Sequence, residues 1–189
     1  GRLWEGVIQH MAPLGFRCVA PDLLGLGESS GKEKYDFTPV GQAEMVKVLC
    51  DRIGLKKPII VGHGSGALVA VVLARQWPER VGAVILSYPI LSRSFYGLHL
   101  MIRLGLGRWL LSPKAGTEVL GKITYPEISF SSEEHRKKFQ EDFISPLFKN
   151  AARIDQLKSF ILQMGKRDHY ILKVRSGLTN FPVLILHAE

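Results

Sequence analysis

The stretch Pro58-Ile59-Ile60-Val61-Gly62-His63-Gly64-Ser65-Gly66-Ala67 decides the fold of this chain. Its first four residues predict a buried strand, which runs into a glycine-rich turn and then directly into a helix. Such a turn needs small residues two positions before and two positions after its apex, because the strand and helix backbones come very close there. Gly62 and Gly66 meet this requirement when residue 64 is the apex, whereas an apex at Ser65 would put His63 at a small position. The sequence therefore predicts a strand–turn–helix unit with Gly64 at its apex.

Strands and helices alternate on both sides of this unit. Three strands are predicted, at 16–20, 58–62 and 84–87. Three helices are predicted, at 3–14, from Pro39 with Thr38 as N-cap to a stop at Gly54, and from the turn to about Trp77. Such alternation is typical of an α/β protein with a parallel sheet and helices on both faces. We expect strand 58–62 to lie inside the sheet, beside the other two strands.

The middle of the chain has a different character. Residues 88–178 predict a helical insertion between two parts of the core, 1–87 and 179–189. Ser131-Ser132-Glu133-Glu134 offers a capping box for one helix, and a second helix is indicated by the apolar stripe Ile154, Leu157, Ile161 and Met164. Most of the net charge of +8 lies here, since these residues include 15 basic and 8 acidic side chains. We expect the insertion to roof an apolar pocket as a cap.

Length and composition set the outer limits. A chain of 189 residues with 46% hydrophobic content can bury one sizeable core. The chain begins at Gly1 and stops just after an apolar run, which predicts a fold that is incomplete at both ends. Missing flanking strands would leave unpaired edges and apolar surface. We therefore expect the isolated chain to be poorly soluble or to depend on a partner.

Three separate segments resemble one known family. The run 15–23 followed by Gly25, Gly27 and Ser29 resembles the P-D-L-x-G-x-G-x-S segment of the α/β-hydrolases. Val61-Gly62-His63 is similar to the approach to their nucleophile, and 74–86 to the helix and strand that follow it. Residues 181–189 are similar to the strand that leads to their catalytic acid. Over 3–87 and 178–189 the chain is identified as a member of the α/β-hydrolase fold family, in the branch of epoxide hydrolases, haloalkane dehalogenases and related esterases.

The resemblance implies a reaction and a site. Family members hydrolyse small apolar esters, epoxides or related substrates through a covalent intermediate on a Ser or Asp. The nucleophile elbow here would be Gly62, His63, Gly64, Ser65 and Gly66, with Gly64 at the nucleophile position and the Ser65 backbone N–H as half of an oxyanion hole. Glycine has no nucleophilic atom, and no segment matches the family's acid and histidine. The chain as given is predicted to be inactive, with no catalytic residue intact, and whether it acts as an enzyme stays open.

Two other functions are weighed against hydrolysis. A hydrolase-fold protein without catalysis could bind a small apolar ligand or a protein partner, and Gly64 makes this a strong alternative. The pattern Gly62-x-Gly64-x-x-Ala67 also matches a dinucleotide-binding βαβ turn. That site requires an acid about 20 residues further on, and residues 82–87 contain none. His63 is predicted to form local hydrogen bonds rather than to act in catalysis.

The sequence also allows expectations about cofactors, partners and cellular location. No cofactor and no metal site is expected, and neither Cys18 nor Cys50 shows metal-ligand spacing. The expected ligand is a small apolar molecule under the cap. The basic cluster Arg136-Lys137-Lys138 could meet an anionic membrane surface, but a solvated helix face is favoured and nucleic acid is not indicated. A cytoplasmic location is favoured, since residues 98–111 are too interrupted by charge to span a membrane, and the oligomeric state is not indicated.

Overall fold

The computed structural model describes residues 1–29, 35–89, 99–106, 111–112, 115–116, 118, 132–164 and 181–186. Three parallel strands form the sheet in this part of the chain: β1 (Ile59–Gly64), β2 (Ala83–Pro89) and β3 (Val183–Leu186), in the order β1-β2-β3. Val84 on β2 lies beside Ile60 on one side and beside Val183 on the other. A parallel sheet combined with helices confirms the predicted α/β class.

Of the two predicted neighbours of β1, the strand at 84–87 is confirmed as β2, whereas the strand at 16–20 and the inside position of β1 were wrong. β1 is an edge strand of the described sheet, since it pairs with β2 alone. Residues 16–20 do not form a strand, and their Phe16 and Val19 are 50% and 44% exposed. An apolar extended run shows that a segment is suited to a sheet, but the strand exists only when a neighbour accepts and donates its backbone hydrogen bonds. Among the described residues, 16–20 has no such neighbour.

Helix α2 (Pro39–Arg52) follows its predicted start and stop signals closely. Thr38 is its N-cap, and the Thr38 Oγ1 accepts a hydrogen bond from Gly41 N–H at 3.3 Å. Gly54 follows the helix with a φ of +74°. The predicted first helix is divided into a 3₁₀ turn (Arg2–Trp4), α1 (Glu5–Met11) and a second 3₁₀ turn (Ala12–Leu14). Helix α3 (Ser65–Gln76) begins directly after β1.

Two helices of the predicted insertion are described. Helix α4 (Glu133–Phe139) is capped by Ser132, whose Oγ accepts a hydrogen bond from His135 N–H at 3.2 Å. A π-helical turn (Gln140–Ile144) and a 3₁₀ turn (Ser145–Phe148) lead from it to α5 (Ala151–Met164). The predicted stripe on α5 is confirmed at Leu157, Ile161 and Met164, which are buried. A further π-helical turn (Ile102–Leu106) contains Gly105 at a φ of +84°. Gly165, the predicted end of α5, lies outside the described residues.

Helix α3 lies at the centre of the core. Its residues from Ala67 to Ala74 are all between 0% and 3% exposed, which is typical of a helix that is covered on every side. It contacts β1, β2 and α2. On β2, Val84 and Leu86 are 1% and 2% exposed, because they belong to the sheet face that α3 covers. On β3 the α3 face is not covered in the same way, since Ile185, the register partner of Leu86, is 59% exposed.

The opposite face of the sheet carries exposed apolar side chains on both β1 and β3. Side chains alternate between the faces along a strand, so the residues next in sequence to those facing α3 point the other way. On that side Ile59, Val61, Leu184 and Leu186 are between 41% and 52% exposed. We call these four residues the open face. None of the described helices combines the length and apolar character needed to cross a membrane.

Candidate functional site

The backbone at Gly64 makes the turn between β1 and α3. Gly64 has a φ of +57° and a ψ of −120°, which lies outside the regions that L-residues normally occupy. Ser65 is the first residue of α3, so its N–H belongs to the group of first-turn donors that have no acceptor within the helix. The structure thus places residue 64 at the apex of a strained turn, with the helix N-terminus immediately beyond it.

The two glycines that flank the apex differ in what surrounds them. A Cβ on Gly62 would lie 2.5 Å from Gly66 O and 2.6 Å from Ala67 Cα, so the strand and helix backbones do come too close for any side chain. A Cβ on Gly66 would meet no described atom within 4 Å. The predicted reason for a small residue is therefore correct for Gly62 and wrong for Gly66, because α3 turns this position away from the strand.

His63 lies at the carboxyl end of β1, directly before Gly64. Its Nδ1 is 3.3 Å from Ser87 Oγ, and His63 and Ser87 are paired in the register of β1 and β2. The His63 ring stacks on that of Tyr88, with centroids 6.4 Å apart and planes inclined by 25°. Burial lowers the pKa of His63 below its ordinary value of 6.5. His63 thus has a hydrogen-bond partner on the neighbouring strand, 24 residues further along the chain, and its predicted non-catalytic role stays a prediction.

Sequence reasoning missed Ser87 as a partner of His63. The two residues are far apart in the chain and meet only because β1 and β2 pair in parallel from Ile59 and Ala83 onward. A signal was present, since both residues end apolar runs and the carboxyl ends of parallel strands lie at one edge of the sheet. The exact register decides which two side chains meet, and the sequence of neither strand specifies that register.

Helix α5 of the predicted cap is hydrogen-bonded to the core. Arg153 on α5 donates a hydrogen bond to Gly27 O, and Gln163 Oε1 on the same helix accepts one from Phe37 N–H at 2.8 Å. The loop that holds Gly27 is fixed in turn by Gln42, a fully buried side chain. Gln42 Oε1 accepts a hydrogen bond from Leu24 N–H at 2.9 Å, and its Nε2 donates one to Leu24 O at 3.0 Å. Both ends of α5 are therefore anchored on core backbone.

Asp22 holds the other side of the same loop. Its Oδ2 accepts a hydrogen bond from Glu28 N–H at 2.9 Å, and its backbone O accepts one from Ser29 Oγ at 2.7 Å. A Cβ on Gly27 would collide with the Asp22 carboxylate at 2.3 Å. Asp22 thus orders the loop through backbone contacts. Within the described ranges, no cluster of three or more His, Cys, Asp or Glu side chains could hold a metal ion.

The family model described as alpha/beta hydrolase fold matches residues 1–189. The chain belongs to this family, as the resemblance in its sequence predicted. Its solved relatives include an epoxide hydrolase, CorEH, with a TM-score of 0.71 and 23% identity, covering 96% of this chain and 68% of that one. An esterase from Thermogutta terrifontis has a TM-score of 0.68 and 17% identity, covering 96% of this chain and 75% of that one.

Relatives by sequence match a smaller part. A haloalkane dehalogenase of Mesorhizobium japonicum is 34% identical over 79 residues, which are 42% of this chain and 25% of that protein. Protein ABHD8 of Homo sapiens is 31% identical over 85 residues, which are 44% of this chain and 19% of that protein. The match thus spans a quarter or less of these two relatives. The comparisons therefore show the family and the fold of this chain.

Proposed function

We propose that this chain is an α/β-hydrolase scaffold whose nucleophile position, residue 64, is occupied by glycine, so that the covalent chemistry of the family does not take place there. The observation that carries the proposal is the backbone of Gly64, with a φ of +57° and a ψ of −120° at the apex between β1 and α3. A sharp, strained turn of this kind is where the family exposes its nucleophile. Glycine keeps the turn and removes the reacting atom.

The loss of the nucleophile has a large expected effect. In a serine hydrolase, removing the nucleophilic serine lowers the rate by about 10⁶, roughly 8 kcal/mol of transition-state stabilisation. What remains in this chain is a helix N-terminus that could polarise a carbonyl through the Ser65 N–H. That donor supports binding of a carbonyl oxygen, but it supplies no attacking group.

The proposed ligand is a small apolar ester, epoxide or related compound beneath the cap. Support comes from the names of the relatives, which include an epoxide hydrolase, an esterase and a haloalkane dehalogenase. The anchoring of α5 on Gly27 and Phe37 also supports a cap that is attached to the core. The second candidate function is binding of such a ligand without turnover. Gly64 favours it because glycine has no nucleophilic atom.

The basic cluster of the cap does not require an anionic partner. Arg136 donates two hydrogen bonds to the Glu133 carboxylate, from Nε at 2.8 Å and from Nη2 at 2.5 Å. Lys137 and Lys138 are exposed on the same short helix. A paired arginine next to two solvated lysines fits an ordinary surface helix, and we propose no membrane or nucleic-acid contact for it.

The test compares four forms of the full-length protein. The native form is expected to show no steady-state turnover of nitrophenyl esters or epoxides above the buffer rate. If the rest of the site resembles that of an esterase, Gly64→Ser should gain ester hydrolysis. If it resembles that of an epoxide hydrolase or haloalkane dehalogenase, Gly64→Asp should gain hydrolysis of epoxides or haloalkanes. Gly64→Ala is the matched control, because it adds a side chain without a nucleophile. Turnover by the native form that Gly64→Ala leaves intact would overturn the proposal.

A further inference from the structure

Three departures from regular strand geometry meet at the carboxyl ends of β1 and β2. Gly64 has its unusual backbone angles, and the register shifts after His63, so that Gly64 pairs with Pro89 and Tyr88 is left over. Tyr88 itself has a φ of +43°, the only positive value among the described residues other than glycine. Bulges and strained backbone cluster beside functional sites, where they redirect side chains. The side chains next to this bulge are therefore candidates for chemistry that does not involve residue 64.

His63 and Ser87 form a base and a hydroxyl at that position. We propose that Ser87 Oγ is a nucleophile that activated esters with apolar acyl groups can acylate, with His63 Nδ1 as its general base. The two atoms are 3.3 Å apart, and such distances are often long in the absence of substrate. This site is distinct from the elbow apex, because Ser87 belongs to β2 and Gly64 to β1.

The state of His63 suits the role of a base. A neutral ring with its proton on Nε2 leaves Nδ1 free to accept the hydrogen bond that Ser87 Oγ–H donates. Partial burial lowers the pKa of His63, so the ring stays neutral at neutral pH. The Tyr88 ring lies beside the imidazole, with centroids 6.4 Å apart. His63 is thus in the form that can accept the Ser87 proton before an ester arrives.

The surroundings of Ser87 favour an apolar acyl group. Ser87 and His63 point to the same side of the sheet as the open face, since Val84 and Leu86 point to α3. Leu186 on the neighbouring strand β3 is the register partner of Ser87 and is 50% exposed. Val61, two residues before His63 on the same side, is 41% exposed. An alkyl chain that extends from Ser87 can therefore cover apolar surface on either neighbouring strand.

The proposed step conserves atoms and charge. Ser87 Oγ attacks the carbonyl carbon of an aryl ester while its proton moves to His63 Nδ1. The tetrahedral intermediate then breaks the bond between the carbonyl carbon and the aryl oxygen, and His63 Nδ1 returns the proton to that oxygen. The products are acyl-Ser87 and a phenol, and His63 is neutral again. With an alkyl fluorophosphonate, the bond from phosphorus to fluorine breaks instead and hydrogen fluoride leaves.

An alkyl fluorophosphonate followed by peptide mapping tests the proposal on the 189-residue chain. We expect one label per chain, on Ser87, and none after Ser87→Ala. His63→Gln should slow labelling about 100-fold, the usual contribution of a general base. Ser145→Ala, at an exposed serine of the cap, is the control and should label as the native chain does. Circular dichroism verifies that each variant is folded.

Several outcomes would overturn the proposal. These are a label on Ser65, an unlabelled native chain, or a rate that His63→Gln leaves unchanged. A second variant covers the case in which Ser87→Ala does not fold. Ser87→Cys should be alkylated by iodoacetamide at neutral pH faster than Ser145→Cys, and His63→Gln should remove that advantage; equal rates would contradict the role of His63. A label mapped to residue 64 in the Gly64→Ser form concerns the elbow alone, so the two proposals fail separately.

Discussion

The two faces of the sheet have similar sequences but very different surroundings. On the face that meets α3, Val84 and Leu86 are 1% and 2% exposed, whereas on the open face Val61 and Leu184 are 41% and 51% exposed. The strands are apolar at both sets of positions, which is typical of parallel strands covered on both sides. The elbow depends only on the α3 face, since Gly62 approaches α3 directly. The described residues thus hold a complete elbow on a sheet that α3 covers at β2, while Ile185 on the same face of β3 is 59% exposed.

The largest contrast is expected from one substitution made on each face. Leu86→Ala should lower the free energy of unfolding by about 2–5 kcal/mol, because it leaves a cavity in the core beneath α3. Leu184→Ala should lower it by roughly 0.5 kcal/mol, since half of that side chain is already in water. Urea unfolding of the two variants measures both values. Equal losses would mean that the open face is covered as well as the α3 face.

The next contrast concerns the two glycines beside the apex. Gly62→Ala should destabilise the chain by about 1–3 kcal/mol, because the added methyl group would lie within 2.6 Å of Ala67 Cα and force β1 and α3 apart. Gly66→Ala should be neutral or stabilising by up to about 1 kcal/mol, since it adds a better helix former in open space. Thermal unfolding distinguishes the two. A loss at Gly66 as large as that at Gly62 would show that the helix is packed differently.

The open face should also govern association, together with the edge of β1 that pairs with no described strand. An unpaired edge strand with exposed apolar side chains favours pairing with another chain. We expect the native chain to self-associate as its concentration rises and Val61→Lys to shift it towards monomer, as measured by sedimentation velocity. The control is Glu44→Lys, an exposed position on α2. A native chain that stays monomeric and melts cooperatively at high concentration would contradict this expectation.

The smallest effect concerns His63 and pH. Its pKa is lowered in the folded state by burial, so the unfolded chain binds a proton more readily. The stability that follows from this difference is complete above pH 6.5 and is lost as the pH falls from there towards the folded pKa. His63→Gln cannot bind a proton and should lose less stability between about pH 7 and pH 5, by urea unfolding. Parallel pH curves for both forms would show that His63 is not buried in this way.

The elbow and several helices could be predicted because their signals are local. The run from Pro58 to Ala67 contains its strand, turn and helix start within ten residues, and Thr38 and Pro39 specify a helix start by themselves. The stripe on α5 requires only regular spacing. Family membership was predictable as well, from three segments in a fixed order.

The edge position of β1 and the partner of His63 could not be predicted in the same way, although the neighbour at 84–87 was. Apolar character at 16–20 indicates a segment that suits a sheet, but it does not say which strand lies beside it. The contact between His63 and Ser87 depends on the register of two strands, and a shift of one residue would replace Ser87 by a different side chain. The open space at Gly66 depends on the direction in which α3 leaves the turn. Such features arise from packing between distant segments, and no short stretch of sequence contains them.

The most direct test of the account is whether a serine introduced at position 64 becomes reactive. In the full-length protein, Gly64→Ser should be labelled by an alkyl fluorophosphonate at residue 64, as shown by peptide mapping, while Gly64→Ala should gain no label there. Both variants place a side chain at a φ of +57° and should lose a similar stability of about 1–3 kcal/mol. A label on the introduced serine would confirm that the elbow is built around this position. A folded Gly64→Ser protein that carries its label on Ser65 instead would show that the apex lies one residue further on.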